Sequence, residues 1–168
     1  DWLLMGEHLA DNSFIRTLGN RTWEIMKKCK VPVLAIPEEQ SLKGCKKILF
    51  TCDDLRLEDC QPLLPLYTLS KVLGAQLHIL HVQSEAKEVV DSSWLETGCE
   101  GLNCHVYQLL SDDVLAAVEF YAKEHNIDLM VLLPRDRTFF DTLFHKSVSK
   151  HLACHCGLPV LSIHVETL

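Results

Sequence analysis

The sequence has 168 residues, 48% of them apolar and 23% charged, with 7 glycines and 6 prolines, the balance of a folded chain of one domain and a fraction. Sixteen basic against 23 acidic residues give a net charge of −7, and no basic run offers an arm for nucleic acid. Apolar runs such as 129–133 and 160–163 are too short to span a bilayer, and the residues after Asp1 lack the basic-then-apolar layout of a signal peptide, so a cytoplasmic protein with no membrane or nucleic-acid partner is expected.

In chain order, a strand is expected over Trp2–Met5, a helix over about Arg21–Lys28 and a strand over Val33–Ile36. Lys47–Cys52 is an apolar run of strand length, followed by Asp53 and Asp54 as a turn or helix-start signal. In 62–73, Leu63, Leu66, Ser70 and Leu73 share one helical face, two prolines delay the regular part, and Gly74 stands where a helix takes a left-handed closing residue. Gln76–Val82 reads as a strand, 84–97 as a short helix closed by Gly98, and His105–Leu110 as a further strand. Ser111–His125 is the clearest helix, with Ser111 expected as its N-cap, two acids in the first turn, and Val114, Val118 and Tyr121 on one stripe. Asp128–Leu133 is a strand buried on both faces, Ser147–Cys156 a helix closed by Gly157, and Pro159–His164 the last strand. Near-continuous apolar strands alternating with helices predict an α/β unit, a parallel sheet covered by helices on both sides.

An internal repeat accounts for the rest. Adding 127 to the numbering superposes Asp1 on Asp128, Cys29 on Cys156, and Pro32-Val-Leu-Ala-Ile36 on Pro159-Val-Leu-Ser-Ile163 without a gap. Residues 1–39 therefore read as the closing β-α-β part of a first repeat, 40–45 as a linker and 46–168 as a complete second domain. Three elements cannot cover both faces of their own sheet, so this piece is expected to find apolar cover in a longer natural chain or on a neighbour.

The segments Ile48–Asp53, Lys71–Val82, Asp113–Leu133 and Ser147–Ile163, in this order, resemble the universal stress protein family, and residues 1–37 resemble the end of a second such domain. The stretch Phe139–Ser147 is similar to tandem members of the Bacteroidetes group. The resemblance implies an open parallel five-stranded sheet of order 3-2-1-4-5, with association through the last strand, Pro159–Val165, either between two chains or between tandem domains of one. It also implies a test for ATP, which many members bind with an acid at the end of the first strand and a Gly-x2-Gly-x9-Gly-Ser/Thr stretch after the fourth.

Glycines serve such a site because backbone N–H groups must converge on phosphate with no Cβ in the way. With Ser147 as the closing hydroxyl, the three glycine positions fall on Leu133, Asp136 and Lys146, and no glycine occurs between Gly101 and Gly157. Asp136 would set a carboxylate near the phosphates, where two unit charges about 4 Å apart repel by about 4 kcal/mol at an effective dielectric near 20. The expectation is therefore a cytoplasmic stress-type protein with no bound cofactor and no catalytic residues, acting by association. The alternative is a degenerate ligand or ATP pocket, with weak ATPase activity left open, built from Asp53, Arg135, Arg137, Lys146 and Ser147. Each has an ordinary structural role as well: Asp53 as a turn residue, Ser147 as a helix N-cap, and the basic group as a solvated charged turn. In the partial copy, Gly6 and Gly19 keep two glycine positions, while Leu9 and Asn20 replace the rest.

The eight cysteines read mostly as small buried thiols. His151, Cys154 and His155, at i, i+3 and i+4 beside Cys156, form a weak zinc or thiol-sensor candidate, with core filler and surface histidine as the simpler reading. His78 and His81, three apart in a strand, point to opposite faces, so one is expected to be half-buried and the other nearer solvent.

Overall fold

The computed structural model describes residues 1–7, 20–52, 63–83, 101, 103–133 and 146–164. Seven strands and four helices are built from them. In chain order these are β1 (Leu3–Glu7), α1 (Asn20–Lys28), β2 (Val33–Pro37), β3 (Lys47–Cys52), α2 (Leu64–Leu73), β4 (Gln76–Gln83), β5 (Cys104–Leu110), α3 (Val114–Glu124), β6 (Leu129–Leu132), α4 (Lys146–His155) and β7 (Val160–Ser162). The helix expected over 84–97 lies outside the described residues.

All seven strands share one sheet in the order β1-β2-β7-β6-β3-β4-β5. The sheet is therefore neither five-stranded nor wholly parallel. The last strand does not stay an open edge, because β2 pairs with it antiparallel, Val33 opposite Ser162, Leu34 opposite Leu161 and Ala35 opposite Val160. Unpaired N–H and C=O groups along an edge strand favour such pairing. Every other neighbouring pair is parallel.

The 127-residue offset recurs in three dimensions. Leu3, Leu4 and Met5 of β1 stand opposite Val33, Leu34 and Ala35, as Met130, Val131 and Leu132 of β6 stand opposite Val160, Leu161 and Ser162. The Leu3 N–H donates to the Pro32 carbonyl at 2.9 Å, and the Met130 N–H to the Pro159 carbonyl at the same distance. Cys29 N–H closes α1 on the Ile25 carbonyl, and Cys156 N–H closes α4 on that of Leu152. In the antiparallel pair, Leu34 and Leu161 are offset equivalents facing each other, so a local two-fold axis passes between them.

Two apolar layers sandwich the sheet. On one face Trp23 and Met26 of α1, Val118 and Tyr121 of α3, and Leu152 of α4 cover Leu49, Leu80, Met130 and Val160. On the other, Leu63 and, from α2, Leu66 and Tyr67 cover Phe50, Ile79, Val131, Leu34 and Leu161. Gly74 closes α2 at φ 62°, as its position predicts, and the Ser70 hydroxyl donates to the Ala75 carbonyl at 2.8 Å. The start of α3 departs from expectation. Asp113, not Ser111, is the N-cap, its carboxylate accepting from the Ala116 N–H at 3.0 Å, while the Ser111 hydroxyl accepts from the Asp113 N–H. Both residue types cap well, and the helix begins late enough that only Asp113 lies three residues before a free N–H. Asp113→Ala is expected to cost about 1 kcal/mol in a urea melt, and Ser111→Ala less than half of that.

Candidate functional site

From β3 the sheet continues to β4 on one side and β6 on the other. Open α/β sheets bind ligands at the carboxyl ends of strands where the order so reverses. Here that place lies beyond Cys52 of β3 and Leu132 of β6, since Phe50 and Val131 are register partners in parallel strands. Thr51 is buried there, and Leu133, where the resemblance sets the first glycine, packs into the apolar layer under α2. A glycine at 133 would leave that contact unfilled.

Of the five candidate ligand residues, Asp53, Arg135 and Arg137 lie outside the described residues, as does Asp136. Lys146 and Ser147 are the first two residues of α4, with only their backbone placed. Ser147 therefore sits inside the first turn and not ahead of it, which corrects its expected role as N-cap. The structure brings these two together and assigns no place to the other three.

The zinc candidate fares differently. His151 Nε2 lies 3.3 Å from a Glu119 carboxylate oxygen, tying α4 to α3. The side chains of Cys154 and His155 lie outside the described residues, and among the described residues no three His, Cys, Asp or Glu side chains are grouped to hold a metal. Among the described residues, Cys29, Cys45, Cys104 and Cys156 are not in disulfides. Burial, with the Asp128 carboxylate nearby, pushes the Cys45 thiol up to about 11, which removes it as a nucleophile near neutrality.

A group of titratable side chains among the described residues is marked by no motif in the sequence. It lies at the opposite, amino end of the strands, where β4, β5 and the end of α3 meet. His78 stacks on Tyr107 with ring centres 5.4 Å apart, and Tyr121 stacks on His125 at 4.0 Å. His78 Nδ1 lies 2.8 Å from the Tyr121 hydroxyl, while the His78 Nε2 atom is buried without a hydrogen-bond partner. His105, register partner of His78, flanks Tyr107, and the Lys47 ammonium donates to the His125 carbonyl at 2.7 Å. Burial first, then the charges of His125, Lys47 and His105, hold His78 down at about 4. Burial and the adjacent Tyr107 hydroxyl hold the Tyr121 phenol above its ordinary range. His78 and His81 are both buried, which corrects the expected split, because β4 is an interior strand with apolar layers on both faces. The available signal was the alternation that puts His78, His105 and Tyr107 on one face, joined to the helical spacing of Tyr121 and His125.

No helix among the described residues is long and apolar enough to cross a membrane. No protein-family model and no curated protein matches the sequence. Among solved structures, the chain is similar to a universal stress protein from Archaeoglobus fulgidus DSM 4304, with a TM-score of 0.71 and 21% identity over 94% of this chain and 60% of that one. It is similar to a putative universal stress protein from Pseudomonas aeruginosa UCBPP-PA14, with a TM-score of 0.63 and 16% identity over 97% of this chain and 63% of that one. A second universal stress protein from Archaeoglobus fulgidus aligns with a TM-score of 0.50 and 16% identity, over 72% of this chain and 93% of its own. The chain spans about three fifths of the two longer structures, and its fold is that of the universal stress proteins.

Proposed function

We propose that this chain is a stress-protein module that works by association, joining two copies of one fold through the last strand, and that its crevice holds no triphosphate by a glycine loop. The observation that carries the reading is the antiparallel pairing of β2 with β7 about Leu34 and Leu161. On this reading residues 1–39 are the tail of a first repeat, 40–45 the linker and 46–168 the second domain, with sheet order 3-2-1-4-5. Matching registers and matching helix-end hydrogen bonds at a constant offset of 127 support it. So does the near-complete coverage of this chain by the longer structures, against 72% by the shorter one. The same edge in a separate chain would make a homodimer. A cytoplasmic setting belongs to the reading, in keeping with the four described cysteines that stand outside disulfides.

The crevice supports the second half of the reading through Leu133, whose partly buried side chain packs against the apolar layer where a phosphate loop would need bare backbone. Titration of the full chain with a fluorescent ATP analogue and magnesium is expected to show no saturable signal that unlabelled ATP competes away. Micromolar, competable binding would favour the other reading, a remodelled anion pocket of Asp53, Arg135, Arg137, Lys146 and Ser147. One feature fits that alternative: Lys146 and Ser147 are the first residues of α4, and the start of a helix is where backbone N–H groups can receive an anion.

A further inference from the structure

A buried histidine has two ring nitrogens to satisfy. His78 is 2% exposed, and only its Nδ1 has a partner, the Tyr121 hydroxyl at 2.8 Å; its Nε2 has none. In the neutral ring, one tautomer leaves an unmatched donor at Nε2 and the other an unmatched acceptor. An imidazolium would carry N–H groups on both nitrogens, and the second would have no acceptor in place. Among the described residues, the titratable and charged groups around the ring are Lys47 from β3, His105 and Tyr107 from β5, Tyr121 from α3 and His125 just after it, and none is a carboxylate.

The walls of this cluster differ in strength. β3 is fixed where it passes: Asp128 takes the Lys46 and Lys47 N–H groups at 2.8 and 2.9 Å, and Ile48, Leu49 and Phe50 are fully buried between β4 and β6. β5 is held less firmly, since each of its residues is half-buried or exposed, against six consecutive buried residues in β4. Its Tyr107 stacks on His78 with ring centres 5.4 Å apart, and just ahead of it the Leu77 N–H donates to the Asn103 carbonyl at 2.7 Å. At the end of α3, Tyr121 and His125 each meet His78 edge-on, at 5.9 and 5.6 Å. Segments with little buried apolar surface are the first to open in a folded protein.

We infer that His78 is an acid-operated latch: when its ring takes a second proton from solvent, the start of β5 (104–107) and the end of α3 (121–125) open away from β4, while the strands from β3 through β6 and β7 to β2 stay paired. In the open form the ring reaches water, which supplies the acceptor that the closed cluster lacks. Burial and the surrounding positive groups disfavour the charge in the closed form, holding the ring at about 4 against 6.5 in water. The closed form is therefore fully favoured above about pH 6.5 and loses that advantage as pH falls toward 4. The opening is local, distinct from unfolding of the whole sheet.

Amide hydrogen exchange of the isotope-labelled full chain at about pH 7 and pH 5, corrected for the intrinsic pH dependence of exchange, tests the latch. Between these values the open population is expected to rise about twentyfold, so protection at 77–79, 104–107 and 121–127 falls by about that factor. Leu34, Val131 and Leu161 are expected to change less than about threefold. His78→Gln is expected to abolish the drop, and His105→Gln, at an exposed position, to leave it largely in place. Unchanged protection in the parent, a uniform fall across all strands, or the same drop in His78→Gln overturns the latch. Should His78→Gln fail to fold, the ring protons of His78 in the parent decide. They are expected to titrate in step with the loss of protection, and a ring that charges while 104–107 and 121–127 stay protected overturns the latch as well.

Discussion

Asp128→Ala is expected to lower folding stability by about 2–3 kcal/mol, the most damaging single change at the polar periphery of the sheet. The Asp128 carboxylate takes both the Lys46 and the Lys47 backbone N–H, and the Asp128 N–H donates to the Lys47 carbonyl at 2.9 Å. Alanine leaves two backbone donors at the start of a central strand without their acceptor; the exposed Lys46 N–H can turn to water, but the partly buried Lys47 N–H cannot do so fully, and an unmet donor there costs more than the bond itself contributes. Asp128→Asn keeps one carbonyl oxygen in place of the carboxylate and should lose about half as much. Urea denaturation of the two variants checks the ordering, and equal losses would mean that the charge, and not the geometry of the clasp, matters. Asp128 also raises the Cys45 thiol, so in both variants that thiol should titrate lower than in the parent.

The second large effect is on acid stability. His78 is buried and held at about 4, below the 6.5 of a free histidine, so the unfolded chain binds its proton more tightly than the folded one. Its contribution is therefore complete above about pH 6.5 and is lost as pH falls toward 4, amounting to about 2 kcal/mol by pH 5. Among the described residues, the groups facing it are Lys47 from β3, His105 and Tyr107 from β5, Tyr121 from α3 and His125 just after α3. None is an acid that would stabilise an imidazolium. His78→Gln retains a hydrogen-bonding group for the Tyr121 hydroxyl and removes the proton site, so its stability between pH 7 and 5 should fall less steeply than that of the parent. Parallel slopes would place the acid sensitivity on other groups.

The interior strands were legible because they are apolar runs of strand length bounded by turn residues, and Gly74 and Gly157 marked helix ends that the structure places at φ 62° and 66°. The proposed repeat is legible in identical spacing around Pro32 and Pro159, and pairing through the last strand is what the resemblance implies, but the partner strand is not legible. Whether β7 ends the sheet or continues into β2 depends on which edges meet, and no local pattern in Val160–Ser162 encodes that. The His78 cluster escaped notice for a related reason. It joins residues from β4, β5 and α3 that are ordinary in their own segments and unusual only together. For the crevice, sequence chemistry named Asp53, Arg135 and Arg137, which fall in connections where no hydrophobic period predicts where a side chain will point. Leu133 was different. The missing glycine could be read directly, and its packing under α2 supplies a structural reason for a bulky residue there.

The proposed joining of like to like through a strand edge depends on one register. Solution NMR of the full-length chain can read it from cross-strand backbone proton contacts and from amide protection along β2 and β7. Contacts linking Leu34 with Leu161, Val33 with Ser162 and Ala35 with Val160 are expected, with slow exchange on both strands. Contacts linking Val33 with Val160 in a parallel sense, or rapid exchange along both edges, would contradict that register.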